Sequence, residues 1–167
     1  MKNKTIALVA IPLMMFSMAA IAKAYTEDNP LVKDLKAGQS INVGEIRIWH
    51  DDDNIYVKYV TTGSWELTET HLHVACGPKE DIPHNNKGNP IPGHFQYSTE
   101  HDPAVSEYQY TVSRSGCNLG HVHIAAHAVV TNGVQEETAW GDGCPLGGKW
   151  AMYFMYKFCE PDSCESQ

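Results

Sequence analysis

From Gly120 to Val130 the sequence alternates too regularly to be anything but an extended strand. Val122, Ile124, Ala126, Ala128 and Val130 fall on one face, and His121, His123 and His127 on the other, because successive strand side chains point to opposite sides of a sheet. Fifty residues earlier, His71-Leu-His-Val-Ala-Cys76 repeats the pattern, with Leu72 and Val74 set against His71 and His73. Two strands that each carry His-x-His on a single face are the sharpest chemical signal in the chain.

The rest of the sequence reads as short strands separated by turns. Ile41 and Val43 alternate, Gly44 marks a bulge, and Ile46 and Ile48 continue the strand. His50-Asp-Asp-Asp-Asn54 is a hairpin connection into Ile55, Val57 and Tyr59. Trp65 to Cys76 forms the next strand region, and Gly77 to Gly93, rich in Pro and Gly, is a long loop. A short strand over His94–Ser98 and an alternating one over Val105–Ser113 precede the histidine strand. Glu136 to Gly148 reads as irregular. Lys149 to Phe158 closes the pattern, with Trp150, Met152, Phe154, Tyr156 and Phe158 on one face. With no amphipathic helical period, these elements predict an all-β antiparallel sandwich, immunoglobulin-like or jelly-roll, with a small barrel as the main rival.

The ends predict a domain organisation. Met1-Lys-Asn-Lys4, an apolar run over Thr5–Ala20 and Ala22-Lys-Ala24 form a signal peptide over 1–24 with an A-x-A cleavage site. Residues 25–38 are expected as a lead-in with little structure, 39–158 as the β-sandwich, and 159–167 as a polar tail. The mature protein is then secreted or periplasmic, without a membrane anchor. Cleavage of 24 residues from 167 leaves 143 and removes Lys2, Lys4 and Lys23, moving the formal charge from −8 to −11. That acidity disfavours nucleic acid and anionic membranes as partners. Export also makes Cys76, Cys117, Cys144, Cys159 and Cys164 disulfide candidates, with one thiol left over.

Thr70-His-Leu72, Gly88-Asn-Pro-Ile-Pro-Gly93-His-Phe-Gln-Tyr97, Ile124-Ala-Ala-His-Ala128, Glu137-Thr-Ala-Trp-Gly141 and Trp150-Ala-Met-Tyr-Phe154 form a further set of motifs. Over roughly residues 34–158 the chain resembles an uncharacterised β-rich domain of secreted microbial proteins. The resemblance implies export and a β-fold and supplies no mechanism. His71, His127 and Glu137 fall on its pattern, whereas His73, His121 and His123 are additions of this chain.

Neutral imidazole is a good ligand for zinc and copper. Strand positions i and i+2 lie about 6.5–7 Å apart on one face, so two rings from each strand can meet at one ion. If the two histidine strands pair antiparallel with positions summing to 194, His71 faces His123 and His73 faces His121. The same register brings Cys76 within a residue of Cys117, provided Asn118-Leu-Gly120 breaks the alternation. The leading expectation is therefore an exported domain binding divalent zinc or copper through His71, His73, His121 and His123, for sequestration, delivery or structure. His127 and Glu137 are possible additions, as a pair or with His127 as a satisfied core group. A second reading is a non-catalytic module binding an extracellular glycan or protein through the Gly77–Gly93 loop, Trp140, Trp65 and Tyr97. A third is a metal-dependent hydrolase with Glu137 as the acid. No catalytic set is assigned: Glu136, Glu137 and Asp142 have no defined separation, and no nucleophile elbow or phosphate loop occurs.

Overall fold

The computed structural model describes residues 25–158 and is antiparallel β throughout, with ten strands and two short 3₁₀ turns. The strands are β1 Leu31–Ala37, β2 Ile41–His50, β3 Asn54–Thr61, β4 Glu66–Ala75, β5 Tyr97–Val105, β6 Glu107–Ser113, β7 His121–Thr131, β8 Glu136–Gly141, β9 Cys144–Pro145 and β10 Met152–Lys157. Their order across the sheet is β5-β4-β7-β8-β1-β2-β3-β6, with β10 pairing with β7 and with β9. The sheet curls until its two ends nearly meet, giving a barrel-like sandwich. The signal peptide expected over 1–24, and Cys159 and Cys164 of the tail, lie outside the described residues.

Three stretches differ from their sequence reading; the short strand expected over His94–Ser98 is instead β5, running from Tyr97 to Val105 after a 3₁₀ turn over Pro92–His94. Residues 25–38, expected as a lead-in, contain β1, which lies between β2 and β8. Leu35 and Ala37 are fully buried, but Lys33, Asp34 and Lys36 interrupt the apolar pattern that would announce a strand. Glu136–Gly141 is a strand as well, and its Ala139 faces the core. The bulge at Gly44 forms: Leu35 pairs with Gly44 and Lys36 with Asn42, leaving Val43 as the extra residue. A Cβ at Gly44 would stand 2.0 Å from the Val60 carbonyl oxygen, so only glycine lets the bulge pack on β3.

The interior is filled by the inward residues of every long strand. Leu35, Ile46, Ile48, Ile55, Leu72, Ile124, Phe154 and Tyr156 are all essentially inaccessible. Each such side chain contributes roughly 1.5–3 kcal/mol through its removal from water. Phe154, Tyr156 and Phe158 join this core, whereas Trp150 and Met152 pack on a second one.

Where β5 and β6 approach, side chains close the sheet. Tyr110 Oη lies 2.9 Å from Thr70 Oγ1 and donates to the Thr70 carbonyl at 3.0 Å. Thr99 Oγ1 lies 3.1 Å from Tyr110 Oη and 3.2 Å from Tyr108 Oη. The Cys76–Cys117 disulfide ties the end of β4 to the turn after β6, with the Cα atoms 4.6 Å apart. This is the pairing expected from placing the two histidine strands side by side. Cys144 is also disulfide-bonded.

Candidate functional site: a capped histidine face

β4 and β7 are neighbours and antiparallel, but their register differs from the expected one. His71 pairs with His127, His73 with Ala125 and Ala75 with His123, so paired positions sum to 198. The expected meeting of His71, His73, His121 and His123 does not form. His123 lies four residues along β7 from the partner of His71, and His121 four residues from the partner of His73, about 13 Å in each case. The reason is the path of Cys117. The chain turns over 114–120 before β7 begins, so the cysteine reaches Cys76 from that turn and does not fix the strand register.

The new register makes a different group. His71 and His127 stand side by side, with ring centroids 5.4 Å apart. His73 lies on the same face, one pleat further along β4. All three are buried, at 6%, 7% and 7% exposure for His71, His73 and His127. They are hidden because this outer face is not left to solvent: the second core, including Ile82, Phe95, Leu146 and Ala151, covers it. Phe95 packs on His73 with centroids 5.7 Å apart, and Trp140 meets His127 edge-on at 4.8 Å. The Gly77–Gly93 loop thus serves as a cap. It is joined to the 142–151 segment where Gly88 meets Gly147 and where Gly148 N–H donates to Asn89 Oδ1 at 3.2 Å.

Hydrogen bonding beneath the cap is incomplete. Nε2 of His71 sits 2.8 Å from Glu69 Oε1 and donates to it, while Nδ1 of the same ring has no partner. Among the described residues, Nδ1 of His71, of His73 and of His127 is buried with no hydrogen-bond partner. Three such atoms on one face of two neighbouring strands are unusual, since buried polar groups are nearly always satisfied. Burial holds His127 neutral and lowers its pKa to about 3, with the neighbouring His71 acting in the same direction. Burial also lowers His73, opposed by the charge and backbone carbonyl of Asp81. From inside the barrel, Tyr59 Oη donates to the His71 carbonyl at 2.8 Å and shares a backbone hydrogen bond with His127. The two strands are thereby pinned beneath the ring pair. Among the described residues, no three His, Cys, Asp or Glu side chains are gathered as they stand into a metal site.

The remaining expected residues lie elsewhere. His121 Nδ1 is 3.2 Å from the Leu119 carbonyl, and His123 Nδ1 is 3.0 Å from that of Gly77, at the root of the cap. Glu137 pairs with Val130 and lies by Gly38, so it is neither a partner of His127 nor an acid beside it. Trp140 is 5% exposed under the cap, while Trp65 and Tyr97 pack on the main core. His127 belonged to the centre of the group, and its place on the His71 face of β7 was the sequence signal for it.

Fold and site define a class: a disulfide-tied antiparallel β-barrel-like sandwich with a capped face of buried, incompletely satisfied histidines. Comparison of the chain with protein-family models, curated proteins and solved structures finds no match to any of them.

Proposed function

We propose that this protein is an exported metal-holding domain that binds one zinc or copper ion through His71, His73 and His127. The observation that carries this reading is the set of three buried, unpartnered Nδ1 atoms on one face of β4 and β7. Leaving a buried acceptor unsatisfied costs about 1–3 kcal/mol each, and a bound cation removes all three penalties together. The carboxylate behind His71 is the kind of outer partner that fixes tautomer and raises ligand basicity at metal sites. The donors are nitrogen, which suits zinc and copper better than calcium or magnesium. The three rings are not gathered as they stand, so binding requires them to rotate to a common point. The Cys76–Cys117 disulfide accords with an oxidising compartment. The cap, closed over the ligands, suits holding an ion rather than turning over a substrate.

The test is titration of the tag-free protein with zinc and with copper. One equivalent binds the wild type and the His121→Ala variant, and none binds His71→Ala/His127→Ala. Stoichiometric binding that survives in the double variant removes these residues from the site.

A further inference from the structure

Among the described residues, the hydroxyl of Tyr153 is another buried polar atom without a hydrogen-bond partner on this face. Tyr153 is 1% exposed. Its place follows from the ladder between β10 and β7: Phe154 pairs with Ile124 and points into the barrel. Tyr153 therefore lies on the outer side, next to Ala125. Ala125 is the residue that His73 faces from the other side, across β4 and β7. His73, Ala125 and Tyr153 thus form one row over three adjacent strands, with the smallest side chain in the middle. Two strand spacings separate the outer members by about 10 Å, a gap that a tyrosine and a histidine together span above an alanine methyl. The tyrosine ring is fixed from two directions, by His123 with centroids 5.7 Å apart and by the Lys79 ammonium 5.7 Å from its centroid.

We infer that Tyr153 supplies the fourth ligand of the metal site, as a phenolate oxygen completing the three imidazoles of His71, His73 and His127 over Ala125. This rests on the metal-holding reading and adds to it an anionic donor and a closed coordination shell. On binding, the phenol O–H bond breaks, its proton leaves to solvent, and the oxygen lone pair is given to the ion. The phenolate offsets one unit of the charge brought under an apolar cap, where an uncompensated cation is costly. Four protein ligands leave no position for a substrate, as in structural rather than catalytic zinc sites.

Copper(II) is the probe, because a coordinated phenolate gives a visible charge-transfer band and enhanced ring modes in the resonance Raman spectrum, which imidazole ligands alone do not. The expected result is such a band in the wild-type copper protein at one equivalent. In Tyr153→Phe the band is lost, one equivalent still binds, and affinity falls by at least the ten- to hundredfold typical of losing even an outer-shell partner. Tyr153→Phe removes an unsatisfied buried hydroxyl, so the metal-free variant folds with a urea midpoint equal to or above that of the wild type. One equivalent bound without the band, or a band that persists in Tyr153→Phe, overturns the assignment of Tyr153 and leaves the three-histidine reading standing. No copper or zinc bound by the wild type overturns both.

Discussion

His71 and His127 sit directly opposite each other on adjacent antiparallel strands, their rings 5.4 Å apart beneath the cap. Burial and the neighbouring His71 take His127 from its ordinary value of 6.5 down to about 3. The unfolded chain therefore binds a proton at this position between pH 6.5 and 3, and the folded protein does not. Its contribution to stability is complete above pH 6.5 and is lost as pH falls towards 3, at up to about 1.4 kcal/mol per pH unit. Urea midpoints of the metal-free protein, measured across this window in chelator, should decline with acid. The decline should be shallower in His127→Gln, and parallel curves for the two proteins would contradict this account.

Glu69 is the carboxylate behind His71, and its side chain is 36% exposed. A partly solvated pair of this kind adds at most about 1 kcal/mol to folding. In the proposed metal site it is the outer partner of a ligand, where it matters more. Glu69→Gln should weaken zinc binding about ten- to hundredfold at unchanged stoichiometry, with the melting temperature of the metal-free protein almost unmoved. Competition against a chelator of known affinity measures the first and calorimetry the second.

The Cys76–Cys117 bridge closes a loop between residues 41 apart. In the chain-entropy model, cross-linking a loop of this size stabilises the fold by about 4 kcal/mol. Cys76→Ala/Cys117→Ala should lower the stability from urea unfolding by several kcal/mol. A change below about 1 kcal/mol would mean that the tyrosine–threonine seam of Tyr110, Thr70 and Thr99 already holds the sheet ends together unaided.

Strand period and turn chemistry in the sequence carried the fold class, the Gly44 bulge, the Asp51–Asn54 hairpin and the β4–β7 neighbourhood. They also placed Cys76 beside Cys117. What they did not carry was register. One face of each histidine strand reads as polar, so nothing in the alternation distinguishes a sum of 194 from 198, and that shift of four replaces His123 with His127 opposite His71. The cap was equally hidden, because Ile82, Phe95 and Leu146 are isolated apolar residues in stretches dominated by Pro, Gly and Asn. Their burial comes from covering a distant face. Tyr153 illustrates the same limit: its alternation with Phe154 is plain, but its place in one row with His73 depends on β10 pairing beside β7.

The cap offers the last prediction. Gly147 has φ +77°, and a Cβ built there would stand 2.2 Å from the Gly88 carbonyl oxygen and 2.6 Å from its carbon. Both neighbours are backbone, so Gly147→Ala forces the two cap segments apart and also carries left-handed strain. Neither Gly147 nor Gly88 belongs to the main core, so global unfolding by urea should shift little. The local consequence is larger. Water gains access to Trp140, which is 5% exposed and meets both Phe95 and His127, and its fluorescence moves to longer wavelength. A bound ion that leaves by way of the cap then dissociates faster, and stopped-flow transfer to a chelator should show a rate increase of about tenfold, the effect of roughly 1.4 kcal/mol off the barrier. If Trp140 becomes accessible but the release rate is unchanged, the ion escapes by another route and the cap is a packing element alone.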